Sequence, residues 1–181
     1  MKPLFTIHEG EFLVGDHLNR RLGRKYDVWV PTKDSGVDLL VTRKRQQGKA
    51  VGLQVKFSRS FSIHEEMARH LIATSWFTLK PNKVRDSQAD LWVFVILTLR
   101  HKEHFVVIPT RELRKRIPRG NPKLWHLYLW VYEDGSCFQV RDLSKEERLD
   151  TVHRGVRERR RDFSEWLGHW DLLDTFTKGS R

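Results

Sequence analysis

The apolar run from Leu91 to Leu99 constrains the fold more than any other feature of the sequence. It is rich in β-branched and aromatic side chains, which is typical of a strand that is covered on both faces. The run is far too short to cross a membrane as a helix. We therefore expect it to be the middle strand of a sheet in a soluble protein.

Hydrophobic periodicity and turn signals predict further elements on both sides of this run. Helices are expected at 8–23, from Ser62 to near Ala73, from a cap at Thr110 to before Pro118, and from Ser144 onward. Strands are expected at Tyr26–Val30, Val37–Thr42, Ala50–Phe57 and Phe105–Ile108, with a second hairpin that pairs Leu124–Tyr132 with Ser136–Val140. The order indicates one α/β domain.

The predicted domain has two parts. Residues 1–143 are expected to form an α/β domain, and residues 144–181 a basic, Arg- and Trp-rich helical extension packed on it. Glycines near 155 and 168 are expected to break that extension.

Three tryptophans, Trp76, Trp125 and Trp130, could stack on nucleic-acid bases, although Trp at strand positions more often belongs to a core.

The chain is strongly basic, with 34 Lys and Arg against 23 Asp and Glu and a formal charge of +11. Such a surface concentrates polyanions and gains free energy when their counterions are released, so nucleic acid is the expected partner. The basic residues cluster at Arg20–Lys25, Arg43–Lys49, Arg111–Lys123 and Arg154–Arg161. Clustering favours a partner over the alternative of a solvated helix face.

The sequence also indicates a compartment. The single cysteine, Cys137, excludes an intramolecular disulfide framework, and Met1–Gly10 lacks the pattern of a signal peptide. We expect a cytoplasmic protein with no membrane partner, and a homodimer stays open.

Two predicted strands bring polar side chains together. In the strand 50–57, alternate residues form an apolar face, which leaves Gln54 and Lys56 on the other face. If 37–42 pairs with this strand through a turn near residue 46 or 47, paired positions sum to 92 or 94. Asp38 then lies opposite Gln54 or Lys56, and the three side chains should converge.

Glu11 adds an acid to this group, because it lies seven residues before Leu18 on the inward stripe of the first helix. Oxygen donors of this kind suit a hard divalent cation that holds a scissile phosphate, and the ammonium of Lys56 could orient an attacking water. The implied chemistry is phosphodiester hydrolysis. The alternative is an ordinary buried Asp38–Lys56 salt bridge with Gln54 hydrogen-bonded nearby.

The stretches that carry these residues resemble the PD-(D/E)xK nuclease superfamily. They are Gly10-Glu11, then Gly36-Val37-Asp38 followed by Leu39 to Val41, then Leu53-Gln54-Val55-Lys56 followed by Ser58. The glutamine in the third motif is similar to the branch that contains Mrr-like restriction endonuclease domains. The resemblance covers about residues 8–109 and implies a restriction-endonuclease-like fold, a central mixed β-sheet flanked by helices.

The resemblance also implies roles for individual residues. Asp38 and Gln54 would be ligands of Mg²⁺ or Mn²⁺, Lys56 would act on the water, and Glu11 would reach the metal directly or through water. Glutamine in place of an acid lowers the negative charge of the site, so the fold is more strongly implied than the activity.

The expected function is a metal-dependent DNA endonuclease in restriction, repair or defence. The alternatives are a non-catalytic nucleic-acid-binding module with the same fold and a structural subunit of a larger complex. Residues expected to contact the nucleic acid are Ser58, Arg59, Arg114, Lys115, Arg157, Arg160 and Arg161.

Overall fold

The computed structural model describes residues 7–32, 36–45, 49–61, 70–98, 100–120 and 122–177. The strands are β1 Tyr26–Trp29, β2 Leu39–Arg43, β3 Val51–Arg59, β4 Leu71–Thr74, β5 Phe77–Leu79, β6 Leu91–Leu97, β7 Glu103–Pro109, β8 Trp125–Leu127, β9 Leu129–Tyr132 and β10 Cys137–Gln139. The helices are α1 Glu9–Leu22, α2 Pro81–Arg85, α3 Thr110–Lys115, α4 Lys145–Arg154 and α5 Leu172–Thr177, with 3₁₀ turns at Arg159–Arg161 and Ser164–Trp166. Within these ranges, no helix is both long and apolar enough to span a membrane.

A mixed five-stranded sheet in the order β1-β2-β3-β6-β7 forms the centre of an α/β domain. The β3 and β6 strands are parallel, whereas the other neighbours are antiparallel. Two smaller sheets, β10-β9-β4 and β5-β8, lie beside it. Helices flank the central sheet, as expected.

The two faces of β6 explain its unbroken apolar sequence. Leu91, Val93 and Val95 pack into one cluster with α1 and the C-terminal segment that includes α5. The alternate residues Trp92 and Phe94 pack into a second cluster with α2, α3 and both small sheets. Each residue of β6 is therefore buried, because each sheet face has its own cover.

The position of β6 in the sheet differs from the prediction. The middle strand is β3, and β6 lies next to it with β7 on its outer side. A strand only needs neighbours on both sides and a cover on both faces to be wholly apolar, and the second strand from an edge satisfies both conditions. Residue 99, the predicted end of the run, lies outside the described residues.

Two local predictions are wrong, and a third is confirmed only in part. Thr110 does not cap its helix, because its buried hydroxyl donates to the carbonyl of Ala89 at 2.5 Å and Pro109 holds the cap position. Leu71 and Ala73 belong to strand β4 paired with β9, and the predicted start of a helix at Ser62 lies outside the described residues. The predicted second hairpin is confirmed for β9 and β10, whereas β8 pairs with β5 instead.

The C-terminal segment belongs to the core. Its capping box is present, with the Glu147 N–H donating to Ser144 Oγ at 3.1 Å. The chain then turns at Gly155, where φ is +66°, and further on buries Phe163 against one face of the sheet and Leu173 against the other. This segment therefore completes the cover of the central sheet.

Candidate functional site

The β2–β3 hairpin brings Asp38 beside Gln54. Its paired residues sum to 92, as in Leu39 with Leu53, which is one of the two predicted registers. The Asp38 N–H donates to the carbonyl of Leu53 at 2.8 Å. One carboxylate oxygen, Oδ2, accepts the side-chain N–H of Gln54 and, at 2.6 Å, the backbone N–H of Val55. The Asp38 side chain is thus hydrogen-bonded to two residues of β3.

Lys56 lies on the same face of β3 as Gln54, two residues further along. Its ammonium nitrogen lies 5.8 Å from the centre of the Trp92 ring on the neighbouring strand β6. Among the residues that the structure describes, Lys56 forms no salt bridge with Asp38 or Glu11. The alternative of an ordinary Asp38–Lys56 ion pair is therefore wrong.

Glu11 reaches the same place from the first turn of α1. The preceding residue, Gly10, lies so close to β3 that a Cβ there would be 2.8 Å from the Cβ of Phe57. This contact fixes the start of the helix on the sheet. Glu11 is half-buried rather than fully inward, and its Oε2 accepts the backbone N–H of His8 at 3.1 Å as part of a capping box.

Asp38, Gln54, Lys56 and Glu11 all line one open cleft of about 960 Å³. The opposite side of the cleft comes from β5, α2 and the loop that follows α2. Its side chains are Thr78, Lys80, Asn82, Lys83, Asp86, Ser87 and Gln88. The cleft therefore combines a carboxylate-and-amide group on the sheet with two exposed lysines, Lys80 and Lys83, in the rest of its lining.

Sequence reasoning missed this second side. Helix α2 has five residues, too few for a helical period to be detected. The available signal was Pro81 at the first helical position, directly after Lys80. Arg114, expected to contact nucleic acid, instead supports this side, because its guanidinium donates to the carbonyls of Val84 at 3.3 Å and Ser87 at 3.1 Å.

The remaining predicted nucleic-acid contacts do not line the cleft. Ser58 is buried, and its hydroxyl accepts the backbone N–H of Trp76 at 3.0 Å, so it is not placed to contact phosphate. One guanidinium nitrogen of Arg59 donates to both carboxylate oxygens of Glu9, at 3.0 and 3.1 Å. Lys115 forms a salt bridge with Glu112 at 2.8 Å.

The basic C-terminal run has mixed surroundings. Arg160 pairs with Glu158 at 2.7 Å, and Arg161 donates to the carbonyl of Arg141 at 2.7 Å. Arg157 is exposed and lines a separate cavity with Glu158, away from the residues of the candidate site. Arg161 therefore supports the fold, whereas Arg157 remains accessible.

The donor set fits a hard cation better than a soft one. No group of three or more His, Cys, Asp or Glu side chains suited to a metal occurs in the described part of the chain. Asp38, Gln54 and Glu11 offer two carboxylates and one amide, all oxygen donors of the type that Mg²⁺ and Mn²⁺ accept. The Gln54 amide now directs its nitrogen toward Asp38. A half-turn of the amide would direct its oxygen there, so that Gln54 and Asp38 could bind the same cation.

We compared the chain with protein-family models, curated proteins and solved structures, and no match was found in any of the three.

Proposed function

We propose that this protein is a metal-dependent nuclease that hydrolyses DNA phosphodiester bonds, with a PD-(D/E)xK-type site on a restriction-endonuclease-like sheet. The observation that carries the proposal is the convergence of Asp38, Gln54, Lys56 and Glu11 on one open cleft. Four residues from three separate stretches of the sequence line this cleft, brought together by a hairpin register and a helix contact. A cluster of this composition suits phosphodiester hydrolysis.

Each residue has a distinct task in this proposal. Asp38, Gln54 and Glu11 would hold Mg²⁺ or Mn²⁺, Glu11 directly or through water, and the bound ion would neutralise charge on the scissile phosphate. Lys56, which forms no ion pair with Asp38 or Glu11, would orient the attacking water and help to remove its proton. Lys80 also lines the cleft, where its ammonium would bind a flanking phosphate.

A non-catalytic nucleic-acid-binding module is the second candidate. It is favoured by the hydrogen bonds of Asp38, because one of its oxygens accepts two N–H groups. Gln54 also contributes no charge to attract a metal. In this alternative, the same cleft would bind a phosphate backbone without cutting it.

The experiment that separates the candidates is a cleavage assay on single-stranded, duplex and branched DNA with Mg²⁺, Mn²⁺ or EDTA. Asp38→Asn is a better test than Asp38→Ala, because an amide oxygen can still accept the N–H of Val55, whereas alanine would leave that N–H unpaired. We expect Asp38→Asn and Lys56→Ala to lose at least about 100-fold in rate.

The matched controls are Asp27→Asn and Lys44→Ala, which alter an exposed ion pair of 3.3 Å at the β1–β2 edge. Both controls should cut at the wild-type rate. A wild-type protein that binds DNA but cuts no substrate with either metal would favour the binding module. Equal loss of activity in site and control variants would contradict the assigned roles.

A further inference from the structure

Trp76 is one of two exposed tryptophans in this protein. Five of the seven tryptophans are buried, with 2–9% of their surface exposed, whereas Trp76 is 53% exposed and Trp29 is 57% exposed. Trp29 lies on the edge strand β1, and its indole N–H donates to the Thr42 hydroxyl at 2.9 Å. Trp76 directly precedes β5.

The indole of Trp76 is held in place without being covered. Its backbone N–H donates to Ser58 Oγ at 3.0 Å, and its ring N–H donates to His126 Nδ1 at 3.4 Å. The rings of His126 and Tyr128 meet it at interplanar angles of 65° and 55°, so neither is stacked flat on it. The guanidinium of Arg141 lies 5.1 Å from the Tyr128 ring and adds a positive charge beside this group.

The strand β5 connects this aromatic group to the candidate site. Residues 76 to 80 alternate between exposed and buried, so Trp76, Thr78 and Lys80 share the outward face. Thr78 and Lys80 both line the cleft that contains Lys56. At about 3.3 Å per residue, Trp76 lies roughly 13 Å along the strand from Lys80. One outward row therefore runs from an exposed ring to a cleft whose lining includes Lys56, Lys80 and Lys83.

We propose that Trp76 stacks on an unpaired base of a DNA strand whose backbone passes along β5 into the cleft. An aromatic ring beside a groove that holds basic side chains is a usual means by which proteins bind single strands, because every base has a face to stack on. The bases of an intact duplex already stack on one another and reach such a ring only if they are flipped out. The preferred DNA would then be a single strand, or a duplex with an unpaired segment.

This inference rests on the proposed function, since the cleft is assigned to DNA there, but it can be tested without cleavage. Binding of a fluorescein-labelled single strand and of the matching duplex is measured by anisotropy in EDTA. The wild-type protein should bind the single strand more tightly. Trp76→Ala should weaken single-strand binding by about 5- to 150-fold and duplex binding much less. Trp76→Phe should retain most of the affinity.

Trp29→Ala is the matched control, because it removes an equally exposed indole that is not linked to the cleft, and its affinities should equal those of the wild type. Quenching of intrinsic fluorescence provides a second measurement that does not depend on how well Trp76→Ala folds. The single strand should quench wild-type fluorescence more than that of Trp76→Phe, since only the wild type carries the stacked indole.

Several results would overturn the inference. They are equal quenching of wild type and Trp76→Phe, an equal affinity of the wild type for single strand and duplex, and tighter binding of an RNA strand of the same sequence. Unchanged DNA affinity in Trp76→Ala would also overturn the inference and would favour a protein partner for the Trp76 ring. Trp76-dependent binding without cleavage in Mg²⁺ or Mn²⁺ would support the inference while rejecting the nuclease, so the two failures are distinguishable.

Discussion

Two glycines in α1 should respond in opposite ways to the same substitution. At Gly15 an added methyl group would meet nothing within 4 Å, so Gly15→Ala gains the helix preference of alanine, about 1 kcal/mol, and should stabilise the protein. At Gly10 the new methyl would lie 2.8 Å from Phe57 Cβ and 3.2 Å from Val55 Cγ1. Neither neighbour is the end of a flexible side chain, so the helix must move away from β3.

Overpacking of this kind costs about 1–3 kcal/mol. The helix-preference gain is common to both variants, so Gly10→Ala should be less stable than Gly15→Ala by about the same 1–3 kcal/mol. For a chain of this length, this corresponds to a difference in Tm of roughly 2–12 °C. Urea unfolding followed by circular dichroism measures the free-energy difference directly. Equal stabilisation in both variants would refute the close contact between α1 and β3, and with it the fixed position of Glu11.

Further predictions concern the charged residues of the C-terminal segment. The Tyr26 hydroxyl donates to the Asp174 carboxylate at 2.7 Å. This hydrogen bond is the main reason why the pKa of the Asp174 carboxyl is below its usual range. The stability that this interaction provides is present above the usual carboxyl pKa and is lost as the pH falls through the lowered value. The Tm of Asp174→Asn should therefore fall less steeply than that of the wild type as the pH is lowered. Arg161→Gln should lower the urea midpoint, because its guanidinium donates to a backbone carbonyl. The double variant Arg157→Gln and Arg159→Gln should leave the urea midpoint unchanged. It should reduce the slope of log affinity for DNA against log salt concentration by at most about 2. An unchanged slope would indicate that these two arginines do not bind DNA.

The sequence was most informative where a strict period governs the structure. The pairing of Asp38 with Gln54 follows from alternation along two strands and one turn centre, and the observed sum of 92 matches one of two registers. The helix 8–23 and the capping box at Ser144 were also predicted, since each depends on residues within one or two turns. These are local rules that a single sequence contains.

The unpredicted parts depend on contacts between distant segments. Residues 124–132 were predicted as one strand, but β8 and β9 pair with different partners, and no local signal in the sequence indicates this. The same is true of Arg114 and Arg161, whose guanidinium groups bind backbone carbonyls 20 to 30 residues away. A cluster of arginines looks the same in sequence whether it supports the fold or faces solvent.

Gln54→Glu is the substitution that tests most directly whether a cation belongs in the cleft. In the wild type, the Gln54 amide donates to Asp38 Oδ2. A glutamate would place a second carboxylate at that contact, so in EDTA one of the two must take up a proton and the pKa of the pair rises. A raised folded-state pKa gives stability that is present below the unfolded carboxyl pKa and lost as the pH rises through the raised value.

In EDTA near pH 8 the variant should therefore lose about 1–3 kcal/mol, and the loss should shrink toward pH 5. Mn²⁺ or Mg²⁺ between the carboxylates would offset their repulsion, so metal should raise the Tm of Gln54→Glu by more than that of the wild type. Gln54→Met is the control, because it loses the hydrogen bond without adding charge, and metal should leave its Tm unchanged. If metal shifts the Tm of Gln54→Glu and Gln54→Met equally, no cation lies between positions 38 and 54, and hydrolysis by a metal held there is excluded.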